Sequence, residues 1–223
     1  MNVHHMSLYV KKYMRKLHTI QVGWLIILAL LILLPLAIAL AVGVGAVFVP
    51  PQQVWEAVIN PDAHSSFIIR TYRMPRALGA VLAGAALAVA GVLLQTALSN
   101  PLASPDVVGI TKGAGFGAVL AIMLLPADMR WIMPIAVIGG AILAAVVLLF
   151  AADVQRGDTG VALTGLAVGA LFHAATSFLL VKLPGDTNQA MVWLAGSMYG
   201  TTMTEVVWLG TALLVLTPFV VYS

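Results

Sequence analysis

Long apolar runs separated by short polar breaks give this chain its class. Six runs stand out: Gly23–Val49, Pro75–Leu98, Val107–Leu125, Ile132–Ala152, Val161–Lys182 and Glu205–Val221. A helix needs roughly 20 mostly apolar residues to cross a bilayer. Barrel strands instead alternate polar and apolar positions over about 10 residues, and these runs are longer and apolar on all sides. The pattern predicts an all-α, polytopic transmembrane helical bundle of about six spans. Residues 1–22 are expected to form an N-terminal tail and residues 23–223 the membrane domain. The connections are short. Pro50–Met74 is the longest, with Pro50, Pro51 and Pro61 as breakers and Val54–Ile59 as a short interfacial helix. Asn100–Asp106 carries Pro101 and Pro105, which cannot continue a helix. Pro126–Trp131, Asp153–Gly160 and Leu183–Tyr199 complete the set, and none has room for a soluble domain.

Composition agrees with the pattern. Hydrophobic residues make up 61% of the chain and charged residues 9%, with a mean hydropathy of +1.04. Soluble domains carry roughly 25% charged residues, so the apolar surface must face lipid. The chain has no cysteine, which excludes disulfide and thiolate chemistry. Its net charge of +3 does not point to nucleic acid, because the basic residues form no long patch. Nothing charged occurs between Lys16 and Glu56. That run is longer than the roughly 7–15 apolar residues of a secretory signal, so it reads as a retained first span.

Lys11, Lys12, Arg15 and Lys16 precede the first span, and lysine and arginine favour the cytoplasmic side. The N-terminus is therefore expected in the cytoplasm, and six spans return the C-terminus to it. Arg70, Arg73 and Arg76 then fall on the external face. There they are either headgroup anchors or a docking patch for acidic side chains, since arginine forks bind carboxylates bidentately. Lys112, near one end of the third run, is expected to snorkel to the interface. Gln95 precedes the Asn100–Asp106 break. Small residues crowd the runs, as at Gly84, Gly91, Gly113, Gly115, Gly117, Gly139, Gly140, Gly165 and Gly169, a spacing that lets helices approach closely in lipid. His173 is an ionisable group away from the ends of its run, and such groups are costly in a bilayer.

Several stretches together resemble a known family. They are Tyr72-Arg73-Met74-Pro75-Arg76-Ala77-Leu78, then Gly84–Gly91, Leu94-Gln95, Asn100–Asp106, Gly109-Ile110 and Gly113-Ala114-Gly115. In this order they look like the signature of the FecCD permeases, the membrane subunits of binding-protein-dependent ABC importers for iron–siderophores, haem and cobalamin. Leu163–Gly169 and Trp193–Ser197 also resemble that family. The resemblance implies that Arg73 and Arg76 dock a periplasmic or lipid-anchored substrate-binding protein. It implies that the fifth span lines a translocation path, with Thr164, His173, Thr176 and Ser177 as its polar members. It places the break at Gln95, Asn100, Pro101 and Pro105 on the cytoplasmic side. The implied partners are an ATP-binding subunit, a second permease chain (identical or paralogous), the binding protein and membrane lipid, in a bacterial inner membrane. No catalytic, cofactor-binding or metal site is expected, and no glycine-rich phosphate loop is present.

The resemblance also implies about ten spans and over 300 residues, with the ATPase-coupling segment after the sixth. This chain has 223 residues and stops at Val221-Tyr222-Ser223. It is therefore expected to be incomplete: a truncated product, a fragment, or a piece completed by another chain. The leading function is uptake of a metal chelate, iron(III)–siderophore first, by alternating access powered by the partner ATPase. The alternatives are a partial or inactive permease fragment and an ATP-independent secondary transporter. The latter places paired ionisable residues near the midplane.

Overall fold

The computed structural model describes residues 3–101, 103–152, 157–183 and 185–222. Leu102 of the family motif, Pro184, Ser223 and the Asp153–Arg156 stretch with Arg156 lie outside the described residues, as do the side chains of Lys11, Lys12, Arg15, Lys16 and Arg130. Each predicted run holds a helix, which ends at Gly43 in the first run and starts at Ile110 in the third. Among the described residues nine α-helices follow in order: α1 Val3–Gly43, α2 Pro51–Ile59, α3 Ser66–Ile68, α4 Met74–Ala97, α5 Ile110–Leu124, α6 Met133–Ala151, α7 Gly157–Lys182, α8 Thr187–Leu194 and α9 Met203–Tyr222. Four stretches among the described residues are long and apolar enough to cross a membrane: Gln21–Gly43, Ser66–Ala97, Met133–Ala151 and Gly160–Lys182. Ile110–Leu124 and Met203–Pro218 are shorter apolar helices. Large side chains turn outward along them, with Phe150 89% and Val181 81% exposed, as lipid-facing positions require. The chain is a multi-pass membrane protein.

Two compact units divide the chain, residues 1–78 with 200–204, and residues 79–199 with 205–223. In the first, α1 is continuous from Val3, so the region expected as a tail is helical. The chain turns after Gly43 and starts α2 at Pro51, whose missing N–H costs nothing in a first turn. A small core joins Val42, Val49, Ala57, Ile69 and Ala77. The fourth helix begins earlier than Pro75 suggests. Helical backbone starts at Ser66, passes through a π-helical turn at Ile69–Arg73, and enters α4 with Pro75 fully buried. The wider turn just ahead of the proline leaves room where its ring would otherwise meet the preceding carbonyls.

In the second unit α5 packs against α6, α7 and α8. Its contact with α6 is built on backbone approach. A Cβ placed on Gly117 would lie 2.1 Å from the Ala136 carbonyl oxygen, and one on Gly140 would lie 2.2 Å from that of Gly113. Around this crossing Val108, Ala144, Leu148, Val168 and Phe172 are buried. Phe116 meets Phe172 edge-on, with ring centroids 5.6 Å apart. The stretch expected to be a plain connection, Leu183–Tyr199, contains α8. The Asp186 carboxylate caps it by accepting from the Gln189 N–H at 3.0 Å.

Candidate functional site

Two places gather polar side chains, one in each unit. The first lies at the end of α1. Its terminal carbonyls lack intrahelical donors, and the Arg73 guanidinium supplies them. Nη1 donates to Val42 O at 2.8 Å and Gly43 O at 3.0 Å, and Nη2 donates to Val47 O. A cation at a helix C-terminus also meets the negative end of the macrodipole. Gly45 makes the space, since a Cβ there would lie 3.0 Å from Nη2. Arg70 is exposed and donates to Val58 O at 2.8 Å. Arg76 is exposed, on the rim of the same recess of about 330 Å³ beside Val44, Val47 and Tyr72. The two arginines of the motif thus differ in what they touch: Arg73 is committed to backbone, and Arg76 is open.

The second place is a cavity of about 560 Å³ in the other unit. It is lined by Asp106, Thr111 and Lys112 at the head of α5, by His173, Thr176 and Ser177 of α7, and by Met191, Trp193 and Leu194 of α8. Thr111 donates its hydroxyl to Asp106 Oδ1 at 2.8 Å, and Lys112 Nζ stands 3.4 Å from the same oxygen. Thr176 and Ser177 donate to the carbonyls of Phe172 and His173, at 2.8 and 3.0 Å.

The level at which α5 starts against α7 follows from the packing of three glycines, Gly109 on Gly165 and Gly169. Gly109 has φ +82°, and a Cβ on it would lie 2.7 Å from Gly169 N and 2.8 Å from Gly165 O. Only glycine accepts both that conformation and that proximity. Gly169 is about 18 Å along the 26-residue α7 from its Gly157 end, close to the helix midpoint. The Ser104–Gly109 backbone therefore reaches the middle of a membrane-crossing helix. There its polar groups are served locally: Val107 N–H by Ser104 Oγ at 3.3 Å and Val108 N–H by Ser104 O at 3.1 Å. At 15 residues α5 spans about 22 Å, short of a hydrocarbon core of about 30 Å, and this irregular lead-in supplies the missing length. The Lys112 stem lies beside Gly169, and its ammonium pairs with the exposed Asp106 carboxylate.

Of the residues expected on the path, His173, Thr176 and Ser177 share this cavity. Thr164 does not line it, and its hydroxyl donates to Gly160 O at 2.8 Å. Gln95 is exposed, and its carbonyl accepts from Asn100 N–H at 3.1 Å; Asn100 is half-buried, Pro101 exposed and Pro105 half-buried. Among the described residues no group of three or more His, Cys, Asp or Glu could hold a metal ion. Sequence reasoning missed Asp106, Thr111 and Lys112 as a set. The available signal was a carboxylate, a hydroxyl and an amine flanking Gly109 just after Pro105.

The model of the FecCD transport family matches residues 28–223. The chain belongs to this family. FecCD relatives include the Fe(3+)-citrate import system permease protein YfmE of Bacillus subtilis, 43% identical over 178 residues that cover 79% of this chain and 54% of that protein. The achromobactin transport system permease protein CbrC of Dickeya dadantii is 39% identical, covering 80% of this chain and 52% of its own. Among solved structures, a metal-chelate type ABC transporter in an inward-facing conformation superposes with a TM-score of 0.68 at 26% identity, over 86% of this chain and 58% of that one. The chain spans about half the length of the curated relatives it matches.

Proposed function

We propose that this FecCD protein serves as a permease subunit of an ABC importer that takes up a metal chelate, with iron(III) chelates of the siderophore or citrate type as its solutes. The observation that carries this reading is the family match over residues 28–223, together with the likeness to a metal-chelate transporter structure. Transport would be alternating access between this permease and a second one, identical or paralogous, driven by a partner ATP-binding subunit in the bacterial inner membrane. The four cations Lys11, Lys12, Arg15 and Lys16, ahead of the membrane-crossing stretch Gln21–Gly43, support a cytoplasmic N-terminus. The 560 Å³ cavity along the C-terminal half of α7, from His173 to Leu180, is a fitting stretch of path, since irregular backbone and ionisable groups are tolerated between spans where they line a wet space.

At the other site, the exposed Arg76 is assigned to receive a carboxylate of the substrate-binding protein, with Arg73 holding the end of α1 beside it. Arg76→Glu puts like charges together across such a contact. It is expected to weaken capture of the binding protein by at least about tenfold, while the variant still co-purifies with its ATP-binding subunit. Titration of labelled binding protein onto the assembled importer reads this out. Unchanged capture would return Arg76 to headgroup anchoring.

A further inference from the structure

We propose that Lys112 is a carboxylate-binding station in the translocation path, kept occupied by Asp106 until an anionic, carboxylate-bearing metal chelate displaces it. The inference rests on the transport reading above and adds the chemical class of solute and the residue that selects it.

The cavity brings the argument together. Among the described residues that line it, Lys112 carries the one full positive charge and Asp106 the one full negative charge. The hydroxyl protons of Thr111, Thr176 and Ser177 are already given to Asp106 and to backbone carbonyls. The side-chain donors left to a guest are therefore the Lys112 ammonium, the His173 ring and the Trp193 indole N–H, of which the ammonium alone carries a full charge. The ion pair has little structural reason to exist. Its side chains are 48% and 69% exposed, and exposed pairs add about 0–1 kcal/mol at most. Yet the Lys112 stem lies beside Gly169 of the membrane-crossing α7, with its Cγ 3.8 Å from where a Gly169 Cβ would lie, and a charged group between such helices is costly unless it works.

Asp106 is also held ready to let go. Thr111 donates to Oδ1, the oxygen that Lys112 faces. When Lys112 leaves, Asp106 keeps that hydrogen bond and its access to solvent. A carboxylate on the solute offers Lys112 the same functional group in the same place, so the exchange replaces one charge-assisted contact by another. A neutral solute offers no such exchange. The station therefore favours polycarboxylate chelates over uncharged ones.

Two substitutions that break the same ion pair separate this role from a structural one. Ferric citrate uptake is measured with the assembled importer in proteoliposomes at saturating binding protein, for Lys112→Gln, Lys112→Arg and Asp106→Asn. Lys112→Gln is expected to slow uptake about tenfold, the order of one charge-assisted contact. Lys112→Arg is expected to retain most of it. Asp106→Asn, which frees the ammonium, is expected to be at least as fast as the unaltered protein. A pair that serves only packing would make Lys112→Gln and Asp106→Asn equally slow, and that result, or no change in either, overturns the proposal. If Lys112→Gln does not fold, Asp106→Asn alone decides, since a rate below the unaltered protein contradicts the station. If the unaltered importer carries no metal chelate, the transport reading fails and takes this inference with it.

Discussion

Gly140→Ala is expected to destabilise the protein by about 2–3 kcal/mol or more, while Gly139→Ala, one residue away, leaves it within about 1 kcal/mol or slightly stabilised. The contrast comes from what each new methyl would meet. At Gly140 it would lie 2.2 Å from Gly113 O and 3.0 Å from Gly117 Cα and N. All three are backbone atoms of α5, and no side chain can rotate away to relieve the clash. The helices must separate, and the close packing that holds a membrane bundle together is lost along the crossing. At Gly139 nothing lies within 4 Å, so the added methyl only improves helix propensity. Thermal unfolding of the two variants in detergent, with recovery of monodisperse protein, measures the difference. Equal melting temperatures would mean that α5 and α6 do not cross at these glycines.

Arg73→Ala carries the second large effect, a loss of about 2–4 kcal/mol, from hydrogen bonds to a charged group worth about 1.5–3 kcal/mol each and shared with solvent on one side. Val42 and Gly43 are buried, so their carbonyls lose a donor that water replaces poorly. Arg73→Lys is expected to recover less than half of the loss. One ammonium cannot spread over the carbonyls of Val42, Gly43 and Val47 as a planar fork does. The same unfolding measurement applies. Full stability in Arg73→Ala would show that the guanidinium is free for a partner and that the end of α1 is held by other means. Reversing the charge of both Arg73 and Arg76 is therefore a poor test of docking. Weakened docking in that double variant would mix a structural loss at Arg73 with a lost contact at Arg76, whereas Arg76→Glu alone isolates the contact.

The sequence made the helices legible because lipid demands it: a span must be long and apolar, and such runs stand out in a chain with 9% charged residues. It also marked Val54–Ile59 as a short helix. The path residues that the family resemblance implied were Thr164, His173, Thr176 and Ser177, and the structure gathers the last three in one cavity and leaves Thr164 outside it. The features the sequence hid depend on tertiary contact. Helix start at Ser66 was invisible because Pro75 is a strong start signal, and a π-helical turn ahead of it has no marker in composition. The short helix α8 was hidden inside a polar connection, although Asp186 followed three residues later by Gln189 is a capping arrangement. Arg73 looked like a free charge because its acceptors are carbonyls some 30 residues away in sequence. Most instructive is Lys112. Counted along its own run it sits near an end; measured against α7 it sits near the middle, because Gly109 packs on Gly165 and Gly169. Depth in a membrane is set by neighbouring helices, and a single run cannot report it.

That depth bears on mechanism. Ionisable groups set between spans are also a feature of transporters that use ion gradients, and the Asp106–Lys112 pair is one that the sequence alone did not bring together. The family and the structural likeness favour the ATP-driven route, and the two routes differ in one measurable way. Proteoliposomes holding the importer assembled with its ATP-binding subunit, given binding protein and labelled ferric chelate, should accumulate iron only when ATP is present on the side of the ATP-binding subunit. Accumulation driven by a proton or sodium gradient without ATP, or none under any condition, would contradict the account.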